Sequence, residues 1–311
     1  MKKTFSIFIF IMAFSLNASE IDSYTQRFDP IADSTNYLNG LVNNKLRAAG
    51  EWANSIEGCS KNRLYNAVKF QFTGSILGEL EKYINASEEV DKRVIARKNS
   101  IYQDFGVLEG SALYFYGLGS IVKLGDNIVG ADKFGHFFSE GWTYFDKSVL
   151  QKEDLISVLK FGDHSERGFF GWMMTGVYSY ADLAVNFNGL RFWVHLADDQ
   201  RVFTRNYGLR SQESYFSCKG GLWVQSRSFD WSDYVDASWD EGINCNMYPK
   251  LSMEDDVNRR IASAMPYASG ISKSCPIITQ RCDELKSKYG PLGRYFLHPR
   301  CLESYKRLTS R

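Results

Sequence analysis

The chain has 311 residues, with 37 basic and 36 acidic side chains, a formal charge of +1 and 15% aromatic residues. That length suffices for a sizeable core, and the charge balance creates no global field, which argues against nucleic acid as a partner. Beyond the N-terminus no stretch has the apolar length of a bilayer span, so no stable membrane insertion is expected, and the protein is expected to act as a monomer.

Met1-Lys2-Lys3, the apolar run 5–16 and the small residue Ala18 have the form of a secretory signal peptide, occupying residues 1–18. The expected location is therefore periplasmic or secreted. Losing Lys2 and Lys3 with the signal leaves 35 basic against 36 acidic residues, a formal charge of −1. Six cysteines, Cys59, Cys218, Cys245, Cys275, Cys282 and Cys301, predict up to three disulfides, with the pairing open. Five of the six follow residue 217, which points to a stapled C-terminal third. None forms a Cys-x-x-Cys pair, so a cysteine metal site is not expected.

Periodicity predicts a helix over about 37–50 with Leu38, Leu41, Val42 and Leu46 on one stripe, and a second over about 62–83. Ser87 followed by two glutamates reads as the N-cap of a third helix, which would carry Lys92, Arg93, Arg97 and Lys98 on a solvated face. Residues 101–130 are rich in aromatic side chains and glycine, and strand and loop are not separable there. A helix follows over about 131–149 and another over 152–161. Residues 162–168 read as a polar turn, and 169–174 as a buried apolar segment. After residue 208 the chain turns Gly-, Ser- and Trp-rich, with a short helix over about 282–289.

The most informative stretch is 130–142, where Asp132, Lys133, His136 and Glu140 sit among Phe134, Phe137, Phe138 and Trp142. On a helix His136 and Glu140 share a face, with Asp132 one turn back. A carboxyl desolvated by aromatic neighbours keeps its proton at neutral pH, as a general acid must, and Glu140 is the candidate. A second stretch, 176–193, places Ser179, Tyr180, Asp182, Asn186 and Asn188 among large apolar groups. Amides and hydroxyls along an aromatic wall suit a hydroxyl-rich ligand such as a glycan, though the same groups also cap helices and satisfy buried backbone.

Several chemistries follow. Asp132, His136 and Glu140 could hold a divalent ion, with His164, His195 or His298 completing the set. Yet a His-Glu-x-x-His zinc helix would need histidine where Glu140 stands, and no metal or cofactor is expected. Acyl transfer lacks a Gly-x-Ser-x-Gly elbow around Ser120, Ser139 or Ser179. Glycoside cleavage fits best, with Glu140 as acid and Asp182, Glu166 or Asp132 as the second carboxylate.

Residues 132–140 and 179–189, joined by Glu166-Arg167-Gly168, together resemble an exported bacterial lysozyme-like family that includes enzymes acting on deacetylated peptidoglycan. The resemblance covers residues 130–193, about a fifth of the chain. It implies a mainly α (α+β) fold with a lysozyme-like helical core, peptidoglycan glycan strands as the partner, and a catalytic glutamate, which falls on Glu140. A near-neutral chain suits a deacetylated wall, whose free amines make it less anionic. From the residues themselves come the role of His136, which would tune or orient the acid, and that of Asp182, which, or else a bound water, would assist at the sugar carbon. Asp132, Glu166, Ser179, Tyr180, Asn186 and Asn188 are expected to line the substrate cleft. The expected organisation is a mainly helical catalytic body over 19–207 with a loop-rich, disulfide-stapled portion, 208–311, packed on it. The alternative is a non-catalytic glycan-binding or structural envelope protein.

Overall fold

A computed structural model describes residues 20–73, 78–197 and 213–303. The signal-like segment lies outside them. About 53% of the described residues are helical and 10% are strand, so the mainly α class with some sheet holds.

Helix α1 (Thr35–Ala53) buries Leu38, Val42, Leu46 and Ala49, the stripe that its 3.6-residue period predicts. Helix α2 (Lys61–Phe72) packs against it, with Ser60 capping the N-terminus through the amide of Arg63. The single helix predicted over 62–83 is two: Thr73 is extended, and α3 (Glu79–Ala86) starts after it. The helix predicted from Ser87 does not form. Ser87 instead ends α3 in an extended conformation. The Lys92 ammonium donates to the carbonyls of Ile84 (2.8 Å), Asn85 (2.8 Å) and Ser87 (2.5 Å). It thereby satisfies the orphan acceptors at the end of α3, and Lys92–Val94 becomes strand β1.

The ambiguous stretch after residue 101 resolves into α4 (Ser111–Tyr116) and a hairpin of β2 (Ser120–Leu124) and β3 (Asn127–Gly130). The three strands form an antiparallel sheet in the order β1-β2-β3, pairing Lys92 with Val122 and Ile121 with Gly130. Gly125, at φ +57°, makes the tight turn between β2 and β3.

The helix predicted over 131–149 is a helical run over 132–150. Helices α5 (Asp132–Gly135) and α6 (Gly141–Phe145) alternate in it with π-turns at His136–Glu140 and Asp146–Leu150. Helix α7 (Leu155–Arg167) begins at an Asp154 cap and continues through the predicted polar turn. Arg167 pairs with Asp163 one turn back at 3.1 Å, which holds that polar segment helical. Within the apolar segment, residues 171–174 are only partly buried: Trp172 is half-buried and Met173 exposed.

Helix α8 (Tyr180–Val194) is the centre of the molecule, buried along every residue. The 132–150 run, α7 and the C-terminal portion cover it, and its buried polar groups, Asp182, Asn186, Asn188 and Arg191, find partners among them. The run and α8 cross at glycine. A Cβ on Gly189 would fall 2.0 Å from the Phe137 carbonyl oxygen, and one on Gly141 would fall 2.5 Å from the Gly189 Cα.

The C-terminal portion adds a β5–β6 hairpin (Phe216–Lys219, Leu222–Gln225) and strand β7 (Asn246–Met247). Strand β7 pairs with β4 (Tyr178–Ser179), which leads directly into α8. The helices Leu251–Ala264 and Gln280–Tyr289 complete the layer, the second where the short helix was predicted. The six cysteines form Cys59–Cys218, Cys245–Cys275 and Cys282–Cys301. The first ties the helical body to the C-terminal portion. Three disulfides fit an exported protein, and among the described residues no helix is long and apolar enough to cross a membrane.

Candidate functional site

Where the start of the 132–150 run meets the start of α8, the core holds a cluster of ionisable groups around Lys133. This side chain is fully buried. Its ammonium lies 2.7 Å from Asp132 Oδ2, 2.5 Å from Asp182 Oδ1 and 2.7 Å from Glu241 Oε1. An ammonium has three donors, and three carboxylates surround it. Burial opposes the charge on Lys133. Asp132, Asp182, Glu241 and Glu20 outweigh it and hold its pKa well above the usual lysine value.

Each partner is positioned by local structure. Ser179 caps α8 by accepting the Asp182 amide at 3.1 Å, which sets Asp182 in the first turn. Glu241 is held by the Asn246 amide, which donates to Oε2 at 2.8 Å from the strand beside Ser179. The neighbouring Asp240 is clamped by Arg27, whose Nη1 lies 2.9 Å from Oδ1 and Nη2 2.5 Å from Oδ2.

The acids outnumber the bases. Around Lys133 and His136 stand Glu20, Glu81, Asp132, Glu166, Asp182 and Glu241, all buried. Burial pushes the Glu20 and Glu166 carboxyls well above the normal range, helped by Glu241 and Asp182 beside Glu20 and by Asp182 and Glu20 beside Glu166. Burial and the charge on Asp132 raise Glu81 to about 8, against the pull of Lys133. Burial raises Glu241 to about 7 although Lys133 opposes the shift. Burial also raises Asp132 against the pull of Lys133. Asp182 alone moves down, because His136 and Lys133 overcome its burial. The structure therefore lowers the proton affinity of one carboxyl and raises that of the other five.

Glu140 is not among the desolvated acids. It is exposed, on the outer side of the run, while Phe134, Phe137 and Phe138 face the core. The aromatic neighbours that the sequence placed around it stack on one another and on Trp231, not on its carboxyl. His136, partly exposed, places Nε2 3.4 Å from Asp182 Oδ2 and Nδ1 3.1 Å from Asn186 Oδ1. Among the described residues the buried Tyr144 hydroxyl has no hydrogen-bond partner. The π-turn at 136–140 carries both His136 and Glu140, and its Phe138 carbonyl accepts the Trp193 indole N–H at 3.0 Å.

Of the predicted residues, Asp132, His136, Glu166, Asp182 and Asn186 come together, with Glu140 at the solvent end. Ser179 is fully buried and serves as the α8 cap, with a longer contact to Glu241 at 3.4 Å. Tyr180 and Asn188 do not join the group. The Tyr180 hydroxyl donates to Met247 Sδ, and its ring packs on Tyr178 and His298. The Asn188 amide donates to the Ala184 carbonyl and the Tyr289 hydroxyl, deep in the C-terminal interface. His164 is exposed on α7. Burial lowers His195 and His298 to about 4, so both are neutral structural histidines away from the cluster.

Lys133, Glu20, Glu81 and Glu241 were missed as participants. Lys133 stood in the motif with no role assigned, and the other three lie far from it in sequence. A lysine with no solvent-facing neighbours in an aromatic helix was the available signal, because a buried ammonium demands carboxylates. Comparison with known protein families, with curated proteins and with solved structures gives no match to this chain.

Proposed function

We propose that this chain is an exported hydrolase of peptidoglycan glycan strands, with Glu140 as the proton donor. The observation that supports this reading is the accessible Glu140 side chain at the end of the π-turn that begins at His136, whose imidazole meets Asp182. In that reading a glycan strand lies over the exposed face of the 136–140 turn. Covering the carboxyl would remove its water and raise its proton affinity, supplying on binding the desolvation that the free protein lacks. Asp182, ionised and fixed by Lys133, keeps His136 in place and puts negative charge below the sugar site, where a cationic amine or an oxocarbenium-like centre is favoured.

The same exposure of Glu140 supports a second reading, a glycan-binding protein without turnover. Digestion of purified sacculi, with and without N-deacetylation, by the mature protein and by Glu140→Gln separates them. Hydrolysis predicts reducing-end muropeptides from the wild type and at least about a hundredfold less from the variant, the scale of a lost general acid. Sacculus binding without fragments from either protein establishes the second reading. Absence of both binding and fragments overturns the glycan assignment.

A further inference from the structure

We infer that Asp132, His136 and Asp182 form a binding site for a divalent transition-metal ion of the zinc class, beside the Lys133 ammonium. Among the described residues these three side chains each offer a donor atom, and the donors lie within 4.8 Å of one another.

Three observations carry the inference. The first concerns the His136–Asp182 contact. Asn186 Oδ1, 3.1 Å from His136 Nδ1, can only accept, so in this pairing the imidazole carries its proton on Nδ1. In the neutral imidazole this tautomer places the Nε2 lone pair against Asp182 Oδ2, two acceptors facing each other at 3.4 Å. Either a proton or a cation must stand between them. Ligand atoms about 2.0–2.2 Å from a tetrahedral zinc ion lie about 3.4 Å apart, the separation found here.

The second is an oxygen left over. Lys133 takes Asp132 Oδ2, while Asp132 Oδ1 is buried and has no hydrogen-bond partner, on a side chain 10% exposed. An unpartnered buried carboxylate oxygen costs free energy that a cation would recover. The third is charge. Two basic side chains, Lys133 and His136, stand among six buried carboxyls, and a divalent ion would bring further positive charge to them.

Lys133 does not block the site. Its ammonium contacts Asp182 through Oδ1, whereas His136 faces Oδ2. His136 is 26% exposed, which opens a route from solvent. Two carboxylates and one imidazole suit zinc, cobalt or manganese better than calcium or copper(I), and three protein ligands leave a coordination position for water. Asn186 would then be the residue that fixes the tautomer of the histidine ligand.

The test is metal binding by the mature, disulfide-intact protein, which needs no turnover and so stands apart from the glycan reading. Purified protein stripped with a chelator is titrated with zinc at neutral pH by calorimetry, and with cobalt by visible absorption. The expected result is one equivalent of zinc, a raised Tm and the intense visible bands of tetrahedral cobalt. His136→Ala, at a partly exposed position where the fold survives, abolishes all three. Asn186→Ala weakens zinc binding by about 10- to 100-fold. No stoichiometric binding by the wild type, or binding unchanged in a folded His136→Ala protein, overturns the inference.

Discussion

Lys133 shows how a buried charge depends on its partners. With three carboxylate oxygens at 2.5–2.7 Å, the ammonium is surrounded by compensating charge. Lys133→Met would keep most of the volume but strand Asp132, Asp182 and Glu241 without their cation. The expected loss is about 3–5 kcal/mol of unfolding free energy, measured by urea denaturation. The loss should be smaller at pH 5 than at pH 8, because the stranded carboxyls can then take up protons. An equal loss at both pH values would show that packing, not charge, is the cause. Glu140→Gln, at an exposed position, should change stability by no more than about 0.5 kcal/mol, so that a lost activity reports chemistry and not unfolding. The roles of these two residues were unequally legible. Glu140 stood out as an acid in a motif, but its exposure depends on which side of the helix meets α8, and aromatic neighbours in sequence do not give that.

The crossing of the 132–150 run with α8 depends on two glycines. Because a Cβ at Gly189 would fall 2.0 Å from the Phe137 carbonyl, Gly189→Ala must push the two segments apart at the level of His136 and Asn186. The expected cost is about 1–3 kcal/mol or more, read as a lowered Tm, together with a changed near-ultraviolet circular dichroism from the Phe and Trp residues packed there. Gly40→Ala in α1 is the control: nothing lies within 4 Å of the added methyl, and removing a mid-helix glycine should stabilise by about 0.5–1 kcal/mol. Equal effects at both sites would remove the crossing argument. Helices themselves were well marked in the sequence, since α1 and the 132–150 run follow their apolar period. Errors came where one charged side chain overrode the apolar pattern: Lys92 closes α3 instead of riding on a new helix, and Arg167 pairs with Asp163 within the polar stretch that α7 spans.

For the whole molecule the acid-rich interior sets the pH dependence. The folded-state carboxyls of Glu20, Glu81, Glu166 and Glu241 are raised above 4.5, Glu81 to about 8 and Glu241 to about 7. Between about pH 5 and 8 the native state then holds more protons than the unfolded chain, so stability falls as pH rises through that window. Glu81→Gln, which imitates the protonated acid, should flatten the slope by up to about 1.4 kcal/mol per pH unit. Chemical denaturation at pH 5, 6, 7 and 8 checks it, and a slope of the opposite sign would refute the protonated interior. By itself the sequence determined what short range and composition control: the helical class, the period of the principal helices and an even set of cysteines for three disulfides. It also placed Asp132, Lys133, His136 and Asp182 in the two stretches that meet. Only the tertiary structure decided which cysteines pair, which faces are buried, and that Glu241, 108 positions from Lys133, completes the ammonium's shell. The reason is physical. Helix and cap preferences act over a few residues, whereas the burial and pairing that make a carboxyl hold or release its proton are set by groups brought together across the whole chain.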